Sequence, residues 1–255
     1  MHLEVCIDSV ESAIAAERGG AQRVELCSDL LEGGITPSAG MIASVRRQIG
    51  IDLFVMIRPR GGDFCYTSCE FGVMQEELEH ARLLGADGVV LGILDEQGRV
   101  DVRRTRQLVE LAGPLPVTFH RAIDMTPDLS VALNDILETG AQRILTSGGK
   151  PNAMLGANEI ARMVDEAQGR IAIMPGGGIT SENIQAVAEA TGAIEFHASA
   201  RTAFPSPVVF RKSEVTMGDI PGQEYNRFIA REETVRALVE VLERLTAERG
   251  AMQPR

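Results

Sequence analysis

Reactive side chains stand near the ends of short apolar runs in this 255-residue chain. Cys6 lies near the end of HLEVCID, Cys27 of RVELCS, Arg58 of LFVMIRP and His120 of PVTFHRA. Gly176, Gly177 and Gly178 close IAIMPGGG, and His197 lies in IEFHAS. Cys6 and Cys27 are each preceded two residues earlier by a glutamate, Glu4 and Glu25. Neighbouring strands lie about 4.8 Å apart. Two thiols at matching places on such strands could hold Cu(I) linearly, or Zn(II) with added histidines. The competing reading is that both are small buried hydrophobes, because free cysteine is among the most buried residue types. Cys65 and Cys69 form a C-x3-C pair with no second pair, and read as incidental.

The other groups suit proton transfer and anion binding. His120 titrates near neutrality and can act as a general acid or base, with Glu25 as a partner and Asp124 to orient it or an arginine. Arg58 and Arg60, in RPRGGD, carry guanidinium forks that match carboxylate or phosphate. Gly176, Gly177 and Gly178 precede a helix, so backbone amides can approach an anion closely there. Ser147, in SGGK after an earlier run, could contribute in the same way. Each has a plainer alternative: a hydrogen-bonded structural histidine, an Arg–Asp surface turn, or a tight turn with Thr180 or Ser181 as N-cap. Lys150 and Lys212, the only lysines, fall in loops, which leaves no strand lysine for a Schiff base.

What must position these groups is a set of strands. With GVVLGIL and RILTSGG there are eight apolar runs, nearly all separated by helical segments. That pattern predicts an α/β fold, a single (β/α)8 barrel of parallel strands with its site at their C-terminal ends. Helices are expected over 9–18, 37–48, 70–84, 101–112, 127–138, 156–167, 181–190 and 231–249. Two connections look long: 59–68 after strand 3, and 200–229 after strand 8. GAQR recurs at Gly20–Arg23 and Gly140–Arg143, four units apart, which mildly supports eight units. Alternation, with apolar residues toward the helices, turns Glu4, Cys6, Glu25, Cys27, Met56, Arg58, Thr118, His120, Thr146, Glu195, His197 and Ser199 inward. Gly88 and Gly92 leave room beside them. Barrel interiors are normally apolar, and a buried unpaired carboxylate costs several kcal/mol or shifts its pKa. Three inward glutamates and an arginine must therefore form a structural ion network or surround a polar ligand.

Composition narrows the function. No linker or low-complexity run divides residues 1–255, so one domain is expected. A net charge of −11 argues against nucleic acid. No apolar run reaches the ~18 residues of a membrane span. Glu4 and Asp8 stand where a signal peptide would be basic and then apolar, and four irregularly spaced cysteines read as reduced thiols in the cytoplasm.

The motifs LCSDLLEGGITPS, MIRPRGGDFCY, TFHRAID, LTSGG, HASA and RKSEVTMG occur in that order, and together they resemble the CutC family of copper homeostasis proteins. The likeness spans residue 3 to about 218. It implies a TIM barrel, a cytoplasmic homodimer or higher homo-oligomer, and copper handling with Cys6 and Cys27 as the Cu(I) ligands. The residues also allow a different class of function, an enzyme acting on a small phosphorylated or carboxylated, sugar-like molecule. In that reading Glu25 and His120 move protons, while Arg58 and the Gly176–Gly178 loop hold the anion.

Overall fold

A computed structural model describes residues 1–212, 214–217 and 224–252. Eight strands form the inner wall: β1 (His2–Ile7), β2 (Arg23–Leu26), β3 (Asp52–Met56), β4 (Gly88–Leu91), β5 (Val117–Phe119), β6 (Arg143–Thr146), β7 (Ala172–Pro175) and β8 (Glu195–Ala198). Their ladders are all parallel and run β7-β6-β5-β4-β3-β2-β1-β8, a nearly closed barrel. The register sets Cys6 beside Glu25, and Glu4 beside both Arg23 and His197.

Outside lie α1 (Val10–Arg18), α2 (Ala39–Arg46), α3 (Ser68–Leu83), α4 (Val102–Ala112), α5 (Leu129–Thr139), α6 (Ala157–Ala167), α7 (Ile184–Thr191) and α8 (Glu232–Met252). Their starts follow local chemistry. Ser9 accepts the Ser12 amide at 3.3 Å to cap α1, and Thr67 with Glu70 forms a reciprocal capping box on α3. Leu3, Val5, Ile7, Val24, Leu26, Leu53 and Val55 face these helices and are fully buried, forming the main apolar core between strand wall and helix ring.

Three features differ from the sequence reading. The stretch after β8 is not a plain loop: β9 (Arg201–Pro205) and β10 (Asn226–Ala230) pair as an antiparallel ribbon. Ser213 and Gly218 of RKSEVTMG lie outside the described residues. The helix after the glycines is not capped by Thr180 or Ser181. Asn183 stands at its N-cap, and its side chain accepts the Thr180 amide at 2.9 Å. Thr146 does not face the barrel centre. Ile144, of the same parity, joins the helix-side core, while Leu145 lines the interior. The Thr146 hydroxyl instead donates to Asp124 at 2.5 Å.

Candidate functional site in the barrel mouth

The interior has two storeys. In the lower one Arg23 donates to Glu4 at 2.5 Å and to Glu195 at 2.7 Å, and Arg143 donates to Glu195 at 2.6 Å. The Phe54 ring lies beneath both guanidiniums, at 4.9 and 5.4 Å. Gly88 makes that possible, since any side chain there would run into the ring. Two acids balance two bases. Burial pushes the Glu4 carboxyl up, but Arg23 and His197 outweigh it and bring it down to about 2. The inward arginines were not anticipated. Their one signal was the repeated GAQR, whose two copies end in Arg23 and Arg143.

Above them opens a cavity of about 540 Å³ at the C-terminal ends of the strands, lined by Cys6, Glu25, Met56, Arg58, His120 and His197 among others. Cys6, Glu25, Arg58, His120, His197, Gly177 and Gly178 border this cavity, whereas Cys27, Ser147 and Gly176 do not. Cys6 Sγ and Cys27 Sγ stand 4.0 Å apart. Cys6 borders the cavity, and Cys27 lies fully buried behind it, packed with Phe54, Met56 and Val90. Cys27 donates to Glu25 at 3.6 Å. The thiols, with Glu25, place one ligand atom each within 4.8 Å of one another, as do Glu4, Glu25 and His197.

The electrostatics of this cluster are asymmetric. The hydrogen-bonding contact with Cys27 leads in pulling the Cys6 thiol well below its ordinary value; burial opposes it and His197 adds to it. Cys27 moves the opposite way, raised by its bond to Cys6 and by burial. Burial, the Cys6 charge and Glu4 push Glu25 well up, against the pull of His197. His197 would be lowered by burial, but Glu25, Cys6 and Glu4 raise it well above the usual imidazole range. Its ring donates from Nδ1 to the Glu4 carboxylate at 2.7 Å, which joins the upper storey to the lower. The site thus draws Cys6 toward the thiolate beside a His197 drawn toward the imidazolium.

His120 behaves differently. Burial and the neighbouring Arg58 charge bring it down to about 3, so it is neutral. Its Nδ1 accepts the Ala122 amide at 3.2 Å, which puts the proton on Nε2. Gly92 makes room for it; a Cβ there would stand 2.6 Å from the ring.

Arg58 reaches neither Glu4 nor Glu25. It donates to the carbonyls of Glu32, Gly34 and Gly62 at 2.7–2.9 Å and lies over the Phe64 ring. Arg60 turns back onto Glu70 and Asp63. Asp124 orients Arg121, at 2.8 Å, and not His120. The same carboxylate fills the turn after β6, accepting the Ser147 amide and hydroxyl and the Gly149 amide. Ser147 therefore serves an internal anion. Gly177 and Gly178 border the cavity with φ of 89° and 73°, the left-handed region that favours glycine. Gly176 packs against Leu145 and His197.

Sequence and fold are both shared with known proteins. The sequence profile of the CutC family matches residues 1–202. The chain belongs to the CutC family. A copper homeostasis protein cutC homolog from Mus musculus is 51% identical over 237 residues, 92% of this chain and 87% of the relative. The Homo sapiens homolog is 52% identical over 216 residues, covering 85% and 79% of the two chains. A CutC crystal structure from Streptococcus agalactiae superposes with a TM-score of 0.75 at 34% identity, covering 78% of this chain and 98% of that one. A thiamine phosphate pyrophosphorylase from Pyrococcus furiosus, 19% identical with a TM-score of 0.59 and covering 96% of each chain, shares the barrel fold. Among the described residues, no helix is long and apolar enough to cross a membrane.

Proposed function

We propose that this CutC family member serves copper homeostasis by binding one Cu(I) through Cys6 and Cys27. The observation that carries the reading is the pair of thiols 4.0 Å apart on adjacent strands, one of them bordering the cavity. Soft thiolates select Cu(I) over the hard cations that carboxylates favour. Cys6 is already drawn toward the thiolate, and Cys27 gives up its proton as the metal arrives, so affinity rises with pH. The cavity supplies the entry path, and Cys27 fixes the bound ion against the wall. Copper in this scheme is cargo. The names of the mouse and human relatives support the assignment. Reduced thiols of this kind fit a cytoplasmic protein, and the family resemblance extends the proposal to a homo-oligomer.

The test is titration of Cu(I) into the reduced, full-length protein against a competing chromophoric chelator. One copper per chain is expected, and it should disappear in a Cys6→Ser, Cys27→Ser double variant whose circular dichroism is unchanged. Equal binding by the folded double variant would overturn the assignment.

A further inference from the structure

We infer that the barrel mouth also holds a small carboxylate bearing a neighbouring oxygen, a 2-oxo or 2-hydroxy acid, between Arg58, His120 and the Gly177–Gly178 backbone. The inference stands apart from the copper reading, since it uses neither thiol.

Its first support is a set of unmet hydrogen-bonding groups. Glu25 Oε1, Arg58 Nε and His120 Nε2 are buried and have no partner. Each belongs to a side chain that lines the 540 Å³ cavity and is at most 4% exposed. Buried polar atoms are nearly always bonded, and leaving one unpaired costs about 1–3 kcal/mol. Three side chains on the wall of one cavity, each carrying such an atom, mark a ligand's place.

The second support is charge. Arg58 is buried, yet among the described residues no carboxylate comes within ion-pair distance of it. Its hydrogen-bond acceptors are three carbonyls, with the buried Tyr66 hydroxyl close by, and these bring dipoles and no counter-charge. By contrast, the buried Arg23 and the half-buried Arg143 below it each reach a glutamate. Nη1 uses both its hydrogens on carbonyls and Nη2 uses one, which leaves Nε–H and one Nη2 hydrogen. Two guanidinium hydrogens match the two oxygens of a carboxylate.

The third support is the donor beside it. The Nδ1 bond from Ala122 leaves His120 Nε2 as the N–H. A neutral imidazole donor seats a carbonyl or hydroxyl oxygen next to the carboxylate, without adding a second cation. Across the cavity, the amides of Gly177 and Gly178 have no acceptor among the described residues. The volume suits a compact ligand, since small-molecule pockets run from about 300 Å³ upward.

The test is calorimetric titration of the metal-free, full-length protein with pyruvate, lactate, acetate and inorganic phosphate. Pyruvate or lactate should bind one per chain and more tightly than acetate, which lacks the second oxygen. Arg58→Gln should weaken all the carboxylates about tenfold or more. His120→Phe, which preserves the ring, should reduce pyruvate and lactate to the level of acetate. Cys27→Ser should bind the acids as the native chain does, which separates this site from the copper site. If Arg58→Gln fails to fold, His120→Phe decides. The inference is overturned if no carboxylate binds at millimolar concentration, if phosphate alone binds, or if His120→Phe retains the preference for pyruvate over acetate.

Discussion

The lower and upper storeys of the barrel are made of the same residue types, and they solve the same problem in opposite ways. Below, Glu4, Arg23, Glu195 and Arg143 pair acid with base over one phenylalanine ring, and the layer is closed. Above, Arg58 has only carbonyls, Glu25 and His120 each keep an unpaired atom, and a cavity stands among them. Inward charge by itself therefore does not mark a functional site. Completed pairing marks structure, and pairing left incomplete beside a cavity marks a place for something else. Glu4 belongs to both storeys, because one oxygen takes Arg23 and the other takes His197. The paired layer thereby holds the His197 ring that stands beside Cys6.

Removing a member of the closed layer should have the largest effect. Arg23→Met strands Glu4 and Glu195 without one of their cations, and loss of one partner from a buried pair costs about 3–5 kcal/mol. Urea unfolding should show that loss, while Arg58→Gln should cost less than half as much because no carboxylate depends on Arg58. Equal losses would erase the contrast between the storeys.

A smaller effect follows from His120. Its folded pKa of about 3 lies below the 6.5 of the unfolded chain, so the unfolded state binds more protons in that window. Stability from this group is complete above pH 6.5 and falls as pH drops toward 3, by up to about 1.4 kcal/mol per unit. Glu4 adds loss only below its ordinary value of 4.5, as pH falls toward 2. His120→Phe should therefore remove the loss between pH 6.5 and 4.5, where the raised Glu25 acts in the opposite direction, and leave the fall below it. An unchanged slope in the upper window would show that His120 is not held neutral.

Much of this was legible in the residues. Alternation along the strands turned Glu4, Cys6, Glu25, Cys27, His120 and His197 inward, because a helix-covered strand must be apolar on its outer face. The same rule misplaced Thr146. Polar does not mean inward at a strand end, where an outward hydroxyl can meet a loop carboxylate such as Asp124. Arg23 and Arg143 open their strands, at the opposite end from the C-terminal edge where barrel chemistry sits, and nothing in their local spacing marks them as paired. The pairing of Asp124 with Ser147 and Gly149 joins residues more than twenty apart, and no local spacing announces it. The tautomer and neutrality of His120 depend on a backbone amide and on Arg58, which only the folded geometry brings together.

Copper K-edge absorption on the full-length protein loaded with one equivalent of Cu(I) tests the central claim most directly. Two sulfur neighbours are expected, falling to one in Cys27→Ser. A first shell of nitrogen and oxygen alone, or a spectrum that Cys27→Ser leaves unchanged, would contradict it.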